Sequence, residues 1–224
     1  MSKIHTISLM FALSVCVTSI HAEEIGNNNI DFQLRVPLHL QYVPQSRKVD
    51  NKLEFGIAGW AVLSDVMAKH NNTTSLFVCG PLLRYGEGGW AEIMGGCKRN
   101  EDGYLDPFIN LRFLEKRIPH LNIGGDLEYY PGEKRERFYS LITADTPISL
   151  GKYSIRVGLE SENIFSFSDK KDSLGVGPRI VLPIPQKMLP FFTSSLTVGY
   201  QLRSDKDFLR CYITFTYQPR SRKK

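Results

Sequence analysis

At 224 residues the chain is one or two domains long by size, and no Gly/Ser/Pro-rich linker or shift in composition divides it, so a single domain is expected. The formal charge of +5 is accounted for by Lys3 and by Arg220, Arg222, Lys223 and Lys224. The body between them is neutral, which removes global basicity as an argument for nucleic-acid binding.

The segment Met1 to Ala22 carries one early cation, Lys3, then an apolar run from Ile7 to Ile20, and the first acids follow at Glu23 and Glu24. That is the pattern of a secretory signal peptide, with cleavage expected after Ala22. A lipoprotein reading through Cys16 is disfavoured because Val15 stands where a small residue is wanted. No later apolar stretch is long enough to cross a bilayer as a helix, so any membrane integration must use strands. The expected organisation is a signal peptide over 1–22, a β-domain over 23–217 and a basic tail over 218–224.

From Phe32 to Tyr42 every even position is apolar and every odd one is polar or proline, a period of two that places Phe32, Leu34, Val36, Leu38, Leu40 and Tyr42 on one strand face. Less regular strands are predicted at about 53–64, 75–85, 90–98 and 107–116. The Gly86 to Gly89 turn would pair positions so that Cys79 faces Cys97, a candidate cross-strand disulfide. Alternation returns at Leu121, Ile123, Leu127 and Tyr129, and again at Tyr153, Ile155, Val157 and Leu159. A strand at 136–145 lies between these two, and a charged loop from Glu160 to Ser173 precedes one at 173–183. Two strands close the chain, Leu196 to Leu202 and Leu209 to Tyr217. This gives eleven strands; since bacterial single-chain membrane barrels use even numbers, ten or twelve are expected.

Three features favour a barrel that faces lipid over one that faces water. The strands approach the ~9–11 residues a tilted transmembrane strand needs. Aromatics stand towards the strand ends, with Phe32, Tyr42, Tyr129, Tyr153, Phe215 and Tyr217 as a candidate girdle. The polar faces mix arginine with glycine, as a narrow wet lumen requires. The last strand, Leu209, Cys211, Ile213, Phe215 and Tyr217, resembles the alternating terminal strand with a final aromatic of bacterial outer-membrane β-barrel proteins, although Gln218 to Lys224 follow it here. The resemblance implies an all-β, closed, antiparallel up-and-down transmembrane barrel of 10 to 12 strands, with outer-membrane lipids and the barrel-assembly machinery as partners.

With the polar faces turned inward, the lumen would be lined by Arg35, Arg84, Lys98, Arg112, Arg156, Arg179, Arg203 and Arg210 against Glu54, Glu92, Asp126, Glu128 and Glu160. Cations outnumber anions, which points to a narrow pore for small anionic solutes. The alternatives are a barrel plugged by its own ion pairs, and a soluble periplasmic barrel holding an apolar ligand. The histidines of the mature chain, His39, His70 and His120, show no triad or dyad spacing, so no enzyme such as a lipid hydrolase is expected. Neither the cysteines nor the histidines have metal-site spacing, and no cofactor is expected.

Overall fold

In the computed structural model, residues 30–44, 53–64, 74–86, 88–99, 103–132, 136–151, 153–167, 172–185, 187, 192–204 and 207–217 are described, without the side chains of 30–32 and 153. The signal peptide and the basic tail expected at the two ends lie outside these residues, as do the side chains of Phe32 and Tyr153. The described residues from 31 onward make up one unit.

Eleven strands follow one another: β1 (Ile30–Tyr42), β2 (Leu53–Ser64), β3 (Thr74–Tyr85), β4 (Gly89–Arg99), β5 (Leu105–Glu115), β6 (Asn122–Tyr130), β7 (Arg137–Leu150), β8 (Tyr153–Ser166), β9 (Ser173–Ile184), β10 (Phe192–Arg203) and β11 (Asp207–Tyr217). Each pairs antiparallel with the next, and β1 lies beside β11 to close a barrel. Closure leaves no sheet edge with unpaired backbone groups. The expectation of ten or twelve strands is corrected to eleven, and with it the expectation of a wholly antiparallel sheet. With an odd number the first and last strands run the same way, so the closing pair is parallel. Strand lengths run from nine to fourteen residues.

Alternation decides which side chains turn inward. On β1 the odd positions Arg35, Pro37, His39 and Gln41 face the interior, and on β11 the even ones Phe208, Arg210 and Tyr212 do so. The outer surface carries the aliphatics. Val157, Ile180 and Val198 lie side by side across β8, β9 and β10 and are 36%, 43% and 40% exposed. Aromatics flank this zone on the same face. Near the rim where β1 starts, the first rim, stand Phe77, Tyr129, Phe138 and Phe165; near the second rim stand Tyr42, Phe55, Phe113, Phe192, Phe215 and Tyr217.

The β3–β4 hairpin closes through Gly86 and Gly88, both at positive φ, with the pair Tyr85↔Gly89 on either side. This loop sits one residue earlier than expected, which moves the register by two. Cys79 therefore faces Gly95, Cys97 faces Phe77, and the thiols are free. The expected Cys79–Cys97 bridge is corrected accordingly: the two share the outer face as diagonal neighbours.

β8 also runs further than expected, to Ser166, taking in residues assigned above to a charged loop. Its outward positions turn polar at Ser161 and Asn163, but these bond to each other and to Ser140 on β7, at 3.2 and 3.4 Å from the Asn163 amide. The polar groups satisfy one another and the strand continues through them.

Candidate functional site: the barrel interior and its cavity

The interior divides into two halves of different chemistry. Against β2 to β6 packs an apolar cluster of Ala58, Trp60, Val62, Val78, Leu82, Met94, Phe108 and Tyr130. β2 and β3 are largely apolar on both faces, so alternation alone did not mark Trp60 or Leu82 as inward. Against β8 to β11 the interior is ionic.

Two acids two positions apart on β8, Glu160 and Glu162, organise the ionic half; both are buried. Glu162 takes Arg35 at 3.1 Å on one oxygen, with the Tyr139 hydroxyl donating to that oxygen at 2.7 Å, while Arg203 and Arg210 meet on its other oxygen. Glu160 accepts from the Gln201 amide at 3.0 Å and lies 3.7 Å from Arg179 and 3.9 Å from Arg210. Glycine makes the room. A Cβ on Gly199 would stand 2.9 Å from the Glu160 carboxylate, and one on Gly175 would stand 2.8 Å from the Arg203 side chain. Towards the second rim, Asp145 on β7 lies 3.3 Å from Arg156 and 3.9 Å from Arg179, and accepts from Asn122 at 3.2 Å.

On the apolar side one buried acid, Glu92, is bonded by His39 and by Gln41, each at 2.6 Å, and by Arg112 at 3.4 Å. The Arg112 guanidinium lies 3.5 Å from the Trp60 ring centre and 3.6 Å from Asp126, which also accepts from Asn110 at 2.6 Å. A desolvated guanidinium over an indole face is favourable in its own right. Arg84 donates to Gln41 at 2.8 Å. Glu128 accepts from the Tyr130 hydroxyl at 2.5 Å, and Tyr130 stacks on Phe108 beneath Arg137.

Between the halves lies a cavity of about 470 Å³. Its wall includes Arg35, Lys98, Arg112, Arg137, Arg156 and Arg179, the acids Asp126, Glu128, Asp145 and Glu160, and both tryptophans of the chain, Trp60 and Trp90. No protein-family model, curated protein or solved structure matches the chain in comparisons with known proteins. The interior chemistry is thus the ground for a functional reading.

Of the expected lumen residues, Arg35, Arg84, Glu92, Arg112, Asp126, Glu128, Arg156, Glu160, Arg179, Arg203 and Arg210 all occupy inward positions of their strands. The structure brings Arg35, Glu160, Arg179, Arg203 and Arg210 into one network and Glu92, Arg112 and Asp126 into another. Sequence reasoning missed Glu162, Asp145, Tyr139 and both tryptophans. Glu162 could have been found by extending the inward series Gly158, Glu160 by one more step of two. His120 is an exposed loop residue between β5 and β6, at positive φ, and His70 lies outside the described residues. Among the described residues, no group of three His, Cys, Asp or Glu side chains converges as a metal site would require.

Proposed function

We propose that the chain is a membrane-embedded β-barrel, placed in the bacterial outer membrane, whose interior is held closed to free ion flow by its own paired charges. One observation supports both halves of this reading: the charged side chains point inward and are matched with opposite charges, while exposed aliphatics between aromatic bands form the outside. A soluble barrel would do the reverse, because an exterior of this kind is costly in water.

The aromatic spacing supports a bilayer. On β3 the outward pair Phe77 and Tyr85 are eight residues apart, and so are Phe192 and Tyr200 on β10. Eight residues extend roughly 26 Å along a strand. At a tilt of ~40° that is about 20 Å across the membrane, close to the ~25 Å apolar band of such barrels. Outer-membrane lipids would then be the partner of the outer face, and the barrel-assembly machinery the partner of the folding chain.

The ion pairs favour a plug over a pore. A ring of unneutralised arginines would attract anions along the axis. Here Arg35, Arg203 and Arg210 are drawn onto Glu162, and Arg156 and Arg179 onto Asp145 and Glu160, so three carboxylates offset part of the charge of five guanidiniums and tie the side chains across the lumen. A narrow anion passage is the second reading. It is favoured by a cavity wall that extends from Lys98 and Arg137 near the first rim to Asn122 and Arg156 near the second.

Purified protein in planar bilayers separates the two. The closed-lumen reading expects no unitary current steps above a detergent control in molar potassium chloride. Steady steps with anion-selective reversal potentials would replace it with the second reading.

A further inference from the structure

We propose that the lumen cavity is a binding site for one small amphipathic monoanion, an aromatic carboxylate in the simplest case, with its charged head at Arg156 and Arg179 and its apolar body against Trp60 and Trp90. The inference goes beyond the closed-lumen reading and does not depend on it.

Size is the first ground. At about 470 Å³ the cavity falls within the ~300–1,000 Å³ of small-molecule sites and holds one ligand of modest size. The wall is the second. It joins two indoles and the aliphatic Leu114 to a cationic corner, the division of labour that recognises a molecule with one charged end.

The third ground is the state of that corner. Two guanidiniums share the single carboxylate Asp145, and the Arg179 contacts to Asp145 and Glu160 are 3.9 and 3.7 Å, close enough for attraction and too long for hydrogen bonds. The Nε of Arg179 is buried without a hydrogen-bond acceptor, as is that of Arg112 across the cavity. A buried donor of a charged group left unsatisfied is uncommon and costly. An incoming carboxylate meets the terminal nitrogens of Arg156 and Arg179, in a corner short of acceptors, and the fork geometry of a guanidinium suits it. Arg156, 33% exposed at its side chain near the second rim, gives the corner access to the outside.

The chain's two tryptophans both line the cavity, so its intrinsic fluorescence reports on occupancy. The full-length protein in micelles is titrated with 4-nitrobenzoate, a quencher, and with its neutral analogue 4-nitrobenzyl alcohol. Saturable quenching by the carboxylate is expected, with the alcohol at least about tenfold weaker, the factor expected of one charge-assisted hydrogen bond. The R156Q variant, altered at a partly exposed side chain, should lose most of that preference while keeping the wild-type emission spectrum.

Equal quenching by the two compounds, or quenching that rises linearly without saturation as from simple micelle partition, overturns the proposal. Because this assay needs neither a bilayer nor a closed lumen, its failure beside an absence of conductance would remove the ligand site alone.

Discussion

Replacing Glu162 by glutamine is expected to destabilise the barrel by about 3–5 kcal/mol, the usual cost of removing one partner from a buried ion pair. The magnitude follows from what remains. Arg35, Arg203 and Arg210 converge on this one carboxylate, which is 1% exposed, and the neutral amide would leave three guanidiniums around a group that cannot balance them. Urea unfolding from micelles measures the effect. Trp60 and Trp90 lie in the opposite half of the interior, so a shift they report reflects the whole barrel. The exposed pair Glu115–Arg117, 2.6 Å long, provides the comparison: Arg117→Gln should leave the midpoint where it was. If E162Q and R117Q behave alike, the ionic network does not hold the fold together.

A charge on the outer surface tests the other half of the account. Ile180 sits in the middle of β9 between Val157 and Val198, and arginine there should cost ~2–4 kcal/mol if the residue faces the bilayer midplane. At Leu150, outward at the second-rim end of β7, the same change should cost ~0–1 kcal/mol, because depth in the membrane sets the penalty. A soluble barrel behaves differently. For it both positions are exposed surface, where substitutions usually stay within about 0.5 kcal/mol. Refolding into liposomes under a urea series gives both values, and two small, equal shifts would mean that the aliphatic face meets water.

Much of the fold was legible because alternation is a geometric property of a strand. The runs ending in Tyr42 and Tyr217 could only put their apolar side chains on one side; Val36 to Tyr42 and Leu209 to Tyr217 became outward faces, while Leu34 on the same side of β1 is buried. What failed was inference from analogy. The eleven strands counted in the sequence are the eleven in the structure, and it was the even-number rule that moved the expectation to ten or twelve. Other misses have local causes. Ser161 and Asn163 interrupt the apolar series on β8 and so concealed Glu162, the acid on which three arginines meet. The cysteine pairing turned on which three residues form a hairpin loop, a choice that glycines at 86, 88 and 89 leave open. Trp60 and Trp90 lie on strands without clean alternation, and only the barrel's curvature brings them to one cavity.

The odd strand count has a further outcome for how the molecule would be threaded through a bilayer. β1 enters at the first rim and β11, running in the same direction, leaves at the second, so Ile30 and Tyr217 belong to opposite sides. An even barrel returns its chain to the side from which it set out; this one does not. Epitope tags placed before Ile30 and after Tyr217 should therefore be reached by antibody from different faces of the envelope, one on intact cells and the other only after permeabilisation. Both tags labelled together on intact cells would mean that the chain closes on itself in some other way.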